Sequence, residues 1–328
     1  MGTSTDDTVD PEEALKSKLD EGHMIEDPSE ATEVYRKVLT ETTNIAGDLE
    51  MMSFVIYYPA LLQAPSIETK IQAAQAIHDE LGHAVLQYAV VEDFGGDTQE
   101  LIMDRDPEEW KTFFMTEWAN ESWYEFAVAQ ALGDRAGRMT TVDLEEHCSY
   151  APYSRSLQKV NFEQQWHVKN GERNMRKLVE SGEEHKERIQ EVVDFFFPLA
   201  AEWFGTTDDK KKRWTQLDYH IRGHTNDEMR QKWLAEVVPM LEDMGLEVPA
   251  HYDEDADEYV LEYEYPVLYD YERGEWDLEN HATWEEKFEQ WRQGGPDKIG
   301  GISRLQEEVW GEDLWQANDE WVRQYLGA

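Results

Sequence analysis

The chain contains one pair of residues spaced for metal binding within a helix, Glu80 and His83 in the sequence Glu80-Leu81-Gly82-His83. Side chains three positions apart emerge on the same helix face, so this carboxylate and this imidazole can reach one metal ion. The spacing alone is weak evidence, because a chain this rich in Glu and His is expected to contain about one such pair by chance. The alternative interpretation is a Glu–His contact on a solvated helix surface.

Further carboxylates and one imidazole lie at positions that are otherwise apolar. A di-iron site in a helical bundle needs a lone Glu from each of two helices and a Glu-x-x-His pair from each of the other two. Such groups are costly to bury unless they are paired or bind a metal. The candidates outside the first pair are Glu50 on the first helix, Glu117, Glu121 and Glu125 in the third, and His167 on the fourth.

The fourth predicted helix departs from this template. The residue three positions before His167 is Gln164, which offers a neutral amide oxygen in place of a carboxylate. Glu163, four positions before His167, also shares its face and is an alternative ligand, either directly or through a local π-bulge. A third interpretation leaves this end of the site without metal, with Gln164 hydrogen-bonded to His167.

The elements that position these residues are predicted to be helices. Apolar residues recur with helical spacing in four long segments joined by modest loops, which predicts an all-α four-helix bundle, and two further helices are expected to buttress it. After Pro249 an alternating pattern predicts a short hairpin, followed by short helices near 283–292 and 303–325. The predicted bundle helices cover residues 30–58, 66–94, 107–132 and 152–178, the buttressing helices 183–204 and 226–245, and the hairpin strands 259–265 and 267–271.

These patterns together predict three regions. They are an acidic leader over residues 1–28, a helical bundle over residues 29–248, and a small C-terminal α/β appendage over residues 249–328.

The charge of the chain excludes some classes of partner. The formal net charge is −42, spread along the whole length, and no stripe of Lys and Arg is long enough to follow a phosphate backbone. Nucleic acid and acidic membrane surfaces are therefore disfavoured as partners. Evenly distributed acid is typical of proteins from a high-salt cytoplasm, in which cations screen the self-repulsion. An ordinary acidic protein is the alternative.

Other features of the sequence predict a soluble cytoplasmic protein. The single cysteine, Cys148, cannot form an internal disulfide, which suits a reducing compartment. The N-terminal residues lack the basic and apolar regions of a signal peptide. No apolar run approaches the 18 or so residues needed to span a membrane.

At these residues the sequence resembles the A (oxygenase) subunits of bacterial phenylacetyl-CoA epoxidases, over roughly residues 30–250. Several separate blocks occur in the same order, which is more specific than any one motif. The blocks are Glu50, Ala64-Pro65, Asp79–His83, Trp123–Glu125 with Asp134 downstream, Ser149–Arg155, Glu163–His167 and Thr225–Gln231.

The resemblance implies a ferritin-like fold that binds two iron ions and epoxidises the ring of phenylacetyl-CoA with O2. It also implies electrons from a separate reductase, a small B-type subunit and a metal-free C-type sister subunit. The implied metal ligands are Glu50, Glu80, His83, Glu125 and His167, with Gln164 where the family pattern has Glu.

Two other functions stay open at this point. One is a non-catalytic subunit of the same complex whose metal site is degraded at Gln164. The other is a ferritin-like oxygenase for a different acyl-CoA.

Two groups of side chains are expected to be structural. His220 and His224 are expected to be solvated or capping residues rather than a second metal site. Basic residues on the fourth helix could meet the phosphates of CoA, although solvated helix-face charges are the expected interpretation. These residues are Arg155, Lys159, Lys169, Arg173 and Arg176.

Overall fold

The computed structural model describes residues 10–306, and most of them are helical. The helices in chain order are α1 (Pro11–Asp20), α2 (Glu33–Gln63), α3 (Ile67–Asp93), α4 (Trp123–Val128), α5 (Arg135–His147), α6 (Ala151–Glu180), α7 (Glu183–Glu202), α8 (Thr215–Asp218), α9 (Asn226–Asp243), α10 (Trp284–Gln293) and α11 (Lys298–Arg304). A π-helical segment, Ala129–Asp134, joins α4 to α5, and another covers Glu100–Asp104. Short 3₁₀ turns cover Pro28–Glu30, Pro107–Glu109, Phe114–Glu117 and Asp208–Lys210.

Four helical rods form a ferritin-like bundle, as predicted. The rods are α2, α3, the continuous stretch from α4 through α5, and α6, with α2 packed along α3 and α5 along α6. Helices α7 and α9 pack against the third rod, in the buttressing position expected from the sequence. The all-α, ferritin-like prediction is therefore confirmed.

The first two rods begin with side-chain caps. Thr32 caps α2 and Ser66 caps α3, in each case by accepting a hydrogen bond from the backbone N–H three residues later. The prediction that the first helix begins after Ser29 and ends at Pro59 was wrong, because the 3₁₀ turn precedes Thr32 and α2 continues through Pro59 to Gln63.

The third rod differs from the prediction of one helix over residues 107–132. Residues 105–122 instead form an irregular strap, and the helix begins at Trp123 after the cap Ser122. Distant groups hold the strap: Asp48 binds the Arg105 side chain and the Lys111 backbone N–H, and the Ile56 carbonyl accepts the Asn120 N–H. Because these groups come from outside the segment, no local pattern reveals the strap.

Gly171 on α6 allows the fourth rod to lie close to the third. A Cβ added there would come within 2.5 Å of the Ala131 backbone nitrogen and 2.7 Å of the Gln130 side chain. Only a residue without a side chain fits this approach. The contact brings α6 against the π-helical segment that ends at Asp134.

The C-terminal appendage contains two small antiparallel hairpins. In the first, β1 (Ala250–Asp253) pairs with β2 (Glu258–Leu261), and in the second, β3 (Leu268–Asp270) pairs with β4 (Glu275–Asp277). The predicted pairing of 259–265 with 267–271 was wrong, since each of those strands has another partner. Most of the short helix predicted over 303–325 lies outside the described residues.

Part of the predicted leader belongs to the folded structure. Helix α1 buries Leu15 and Leu19 in a cluster with Tyr35 and Tyr150, and Ile25 forms a β-bridge with Tyr150. The domain boundaries remain a prediction.

Among the described residues, α2 is long and apolar enough by composition to cross a membrane. Its bundle-facing side carries Asp48 and Glu50 and packs against α3, as the core helix of a globular protein does.

Candidate metal centre

Two groups of potential metal ligands meet at the centre of the bundle and share Glu80. The first group is Glu50, Glu80 and His83, and the second is Glu80, Asp134 and His167. Within each group, the potential ligand atoms lie within 4.8 Å of one another. The side chains come from all four rods, which is the arrangement that a di-metal carboxylate site requires.

Glu80 connects the two histidines. One of its carboxylate oxygens lies 3.4 Å from His83 Nδ1 and the other lies 3.0 Å from His167 Nδ1. The two imidazole rings are 6.1 Å apart between centroids. A carboxylate in this position can bridge two metal ions, each of which would also bind one histidine.

Each histidine has a carboxylate on its outer nitrogen. His167 Nε2 lies 3.2 Å from Asp79, and His83 Nε2 lies 3.1 Å from Glu163. Asp79 directly precedes Glu80 on α3, and Glu163 directly precedes Gln164 on α6. Each helix therefore supplies the outer carboxylate that contacts the histidine of the other helix. Such partners fix the ring orientation and leave Nδ1 directed at the metal. The geometry therefore favours Glu163 as an orienting residue over its alternative role as a ligand.

Asp134, rather than Glu125, faces the cluster from the third rod. Glu125 lies in the first turn of α4, where its carboxylate accepts a hydrogen bond from the Ser122 hydroxyl at 2.7 Å. Asp134 lies nine residues further on, roughly 13 Å along a helix. Its Oδ2 is 3.7 Å from His167 Nδ1, and its Oδ1 accepts a 2.5 Å hydrogen bond from the Tyr57 hydroxyl. The structure thus places the expected ligand Glu125 outside the two groups and Asp134 within one of them.

A sequence signal for Asp134 was available. It ends the run Phe126-Ala-Val-Ala-Gln-Ala-Leu-Gly, in which almost every side chain is small or apolar and buried. A lone carboxylate after such a run needs a partner. The other carboxylates considered are placed elsewhere: Glu121 is exposed, and Glu117 binds the Gly295 backbone N–H.

Gln164 occupies the position on α6 that Glu80 occupies on α3. Its amide nitrogen lies 3.3 Å from both oxygens of Glu80 and 3.5 Å from His83 Nδ1. It contacts these groups rather than His167, contrary to the third interpretation. Its Oε1 is buried and has no hydrogen-bond partner among residues 10–306. A buried acceptor without a partner is uncommon, and a metal ion would satisfy it.

The electrostatics show a cluster that attracts positive charge. Burial alone would lower the pKa of both histidines, but their hydrogen bonds outweigh it. Hydrogen bonds to Glu50 and Glu80 raise the pKa of His83 to about 11. Those to Asp79 and Glu80 raise the pKa of His167 to about 10. Burial, reinforced by the charge of Glu80, raises the pKa of Glu50 to about 8 and that of Asp134 to about 7. Protons on these groups therefore balance the carboxylates when no metal does.

The donor set fits iron. Carboxylates together with imidazole nitrogens are the ligands of ferritin-like di-iron proteins. Within the described part of the chain, the buried atoms Gln164 Oε1 and Asp134 Oδ2 both lack a hydrogen-bond partner. Glu50, Glu80, His83, Asp134, Gln164 and His167, named here the candidate metal centre, would hold the two ions.

An apolar cavity of about 250 Å³ reaches this centre. An apolar cavity of about 150 Å³ can hold benzene, so there is room for an aromatic ring. Its walls include Ile56, Tyr57, Met115, Phe113, Leu144, Trp203 and Phe204, and the centre contributes Glu50, Glu80, Asp134 and Gln164.

Basic residues line the adjoining surface. Arg222 lines the cavity and also two neighbouring grooves that contain Lys211, and one of these grooves also contains Arg213. The Arg222 side chain is only 13% exposed, and the Asp143 carboxylate, 3.9 Å from its Nε, is its only ion-pair partner among residues 10–306. Its Nη1 also donates a 3.3 Å hydrogen bond to the neutral Asn226 Oδ1. A nearly buried guanidinium with one long ion pair is suited to receiving an anion.

The basic residues considered on α6 already have local partners. Arg155 forms two 3.0 Å hydrogen bonds with Glu26, and Lys159 binds Glu163 at 2.5 Å. Lys169 lies over the Trp166 ring, Arg173 binds Asn170, and Arg176 binds Asp243. These contacts match the expectation of helix-face charges.

His220 and His224 do not lie in one cluster. His220 binds Asp20, while His224 lies in a group with Asp143 and His147. In that group His224 Nδ1 is 2.5 Å from Asp143, and its Nε2 is 2.8 Å from the Lys232 amine. Both imidazole nitrogens of His224 therefore have partners in the described structure, which fits a structural role.

The sequence matches a known family over most of its length. Residues 12–293 match the family described as phenylacetic acid catabolic protein. The chain belongs to this family. It is also 25% identical, over 252 residues, to the A-type subunit of 1,2-phenylacetyl-CoA epoxidase from Escherichia coli K12, an alignment that covers 76% of this chain and 81% of that protein. The family resemblance expected from the sequence is confirmed, and the chain belongs among the proteins of phenylacetic acid catabolism.

Proposed function

We propose that this chain is the iron-carrying subunit of a multicomponent monooxygenase that epoxidises the aromatic ring of phenylacetyl-CoA. The observation that carries the proposal is the pair of ligand groups sharing Glu80 at the end of an apolar cavity. The epoxidase name of the Escherichia coli relative supports the choice of substrate and reaction.

The residues of the candidate metal centre have distinct roles in this proposal. Glu80 would bridge the two ions, Glu50 with His83 and Asp134 with His167 would complete the two positions, and Gln164 would supply a neutral oxygen. Asp79 and Glu163 keep the two imidazoles oriented, and Tyr57 fixes the Asp134 carboxylate through its hydrogen bond. Iron would supply the activation of O2, with one oxygen atom transferred to the ring and the other released as water.

The cavity and its basic border would hold the two parts of the substrate. The apolar walls surround the ring and exclude bulk water from the centre, while the phosphates of the CoA portion would meet Arg222, Lys211 and Arg213. A separate reductase would deliver electrons, and a small B-type subunit together with a C-type sister subunit would complete the complex.

The proposal is tested by turnover with the full set of components. We expect consumption of phenylacetyl-CoA that depends on O2 and on the reductase. Arg222→Gln should raise KM for the thioester roughly tenfold, because a charged hydrogen bond worth about 1.5–3 kcal/mol is lost. Arg155→Gln, which removes a charge paired with Glu26 on the surface, should leave KM unchanged.

Two alternatives are distinguished, the first by the same turnover assay and the second by subunit binding and metal analysis. Turnover of another aryl or alkyl thioester, with none of phenylacetyl-CoA, would assign a different acyl-CoA substrate. Gln164 favours the second alternative, a non-catalytic subunit. Tight binding of a sister subunit, with no metal in either the wild type or Gln164→Glu, would establish that role.

A further inference from the structure

The two metal positions are not equivalent in charge. We propose that they load in sequence: the position of Asp134 and His167 binds a divalent ion first, and the position of Glu50 and His83 binds the second ion more weakly. This inference rests on the metal centre of the proposed function and adds an order and a difference in affinity.

The first reason is the number of carboxylates. Glu50, Glu80 and Asp134 supply three negative charges, and Glu80 is shared by both positions. Once one dication is bound, a single negative charge remains for the second. A carboxylate in place of Gln164 would leave two negative charges. The neutral amide therefore weakens mainly the binding of the second ion.

The second reason is the difference between the two outer carboxylates. Asp79, behind His167, is buried and receives a 2.6 Å hydrogen bond from the neutral Gln75 amide. Within residues 10–306, Asp79 forms no salt bridge with Lys or Arg, and its only other charged-type neighbour besides His167 is the exposed imidazole of His78, 3.3 Å away. Glu163, behind His83, is neutralised by Lys159 at 2.5 Å. The field at His167 is therefore the more negative, which favours the first ion there.

The third reason is the placement of the Gln164 amide nitrogen. It lies 3.5 Å from His83 Nδ1 and 3.3 Å from both oxygens of Glu80. An ion at the His83 position must displace this amide group or turn it. In the described structure the amide nitrogen has no hydrogen bond with Asp134 or His167 themselves, and the Glu80 oxygen beside His167 is its one contact on that side.

The test is titration of the metal-free full-length protein with Mn²⁺, followed by electron paramagnetic resonance. The first equivalent should give the signal of an isolated bound ion. The second should bind about tenfold or more weakly and convert that signal to the spectrum of a coupled pair, given that changes around a metal site alter affinity about 10–100-fold.

Substitutions assign the positions. Gln164→Glu should strengthen binding of the second ion and reduce the difference in affinity between the first and second ions. The control Gln165→Glu, which adds the same charge one residue along α6, should change neither. His83→Gln should leave one tightly bound ion, and His167→Gln should remove the tight one. Circular dichroism establishes that each variant is folded.

Each outcome is decisive. The loading order would be overturned if the wild type bound two ions with equal affinity, or if Gln164→Glu left the difference in affinity unchanged. Either result would leave the proposed metal centre intact. If His167→Gln keeps the tight ion, the assignment of positions is reversed. No Mn²⁺ uptake by either the wild type or Gln164→Glu would reject the order together with the metal centre.

Discussion

At the scale of single residues, the two outer carboxylates are the feature that most clearly separates a metal centre from a chance cluster. Asp79 and Glu163 each contact the nitrogen of a histidine that faces away from Glu80. A surface Glu–His pair would not need such support on both sides. The repetition of the same relation in two motifs places Gln164 at the position on α6 that corresponds to Glu80 on α3.

Asp79→Asn should weaken metal binding about 10–100-fold, because an amide partner no longer favours the ligating form of His167. Metal titration of the variant checks this. The exposed Asp104→Asn provides a control with the same chemical change, and equal affinities for both variants would exclude an orienting role for Asp79.

Cys148 offers a prediction independent of the metal. The thiol is buried, and burial raises its pKa to about 12, so at pH 8 it stays protonated in the folded chain. We expect an aromatic disulfide reagent to react with Cys148 only after the chain is unfolded in denaturant. Rapid reaction of the native protein at pH 8 would contradict this placement.

The sequence was sufficient to nominate most of the side chains at the centre. Glu50, Glu80, His83 and His167 were recognisable as polar residues on apolar helix faces, and the structure brings them together, although metal binding by them remains a prediction. Asp134 was missed as a candidate ligand because its position depends on the π-helical segment and on the approach of α6 at Gly171. Neither leaves a periodic pattern.

At the scale of elements, the strap over residues 105–122 explains why the third rod was misjudged. Its aromatic residues recur at helix-like intervals, yet its backbone is held by partners far away in the sequence. Asp48 is the main anchor: it is fully buried and also accepts a hydrogen bond from the Tyr88 hydroxyl at 2.7 Å.

Asp48→Ala should lower the free energy of unfolding by about 3–5 kcal/mol, because the Arg105 guanidinium would be left buried without its partner. Chemical denaturation measures the change. Removal of an exposed charge on the same helix, Glu41→Ala, should cost less than about 0.5 kcal/mol. Equal stabilities of these two variants would show that Asp48 does not anchor the strap.

At the scale of the whole molecule, the net charge of −42 dominates the behaviour expected in solution. The carboxylates of the centre are a small part of it, and most acidic residues are on the surface. Self-repulsion of this size destabilises the folded state at low salt. Added ions screen this repulsion, because the Debye length falls from about 10 Å at 0.1 M ionic strength to about 3 Å at 1 M.

Tm should therefore rise as KCl is increased from about 0.1 M to 1 M and beyond. Differential scanning calorimetry across this range checks it, and an equal concentration of sucrose is a control for effects other than screening. A Tm that is independent of KCl would argue for an ordinary acidic protein rather than one adapted to a high-salt cytoplasm.

The proposed function depends above all on a pair of iron ions held by the six side chains of the candidate metal centre. The most direct test is the iron content of protein expressed with iron and purified in about 1 M KCl, compared with Asp134→Ala and Glu125→Ala. We predict about two irons per chain for the wild type and for Glu125→Ala, and about one or fewer for Asp134→Ala. The proposed metal centre would be contradicted by fewer than about half an iron per wild-type chain. It would also be contradicted if Glu125→Ala lowered the iron content and Asp134→Ala did not.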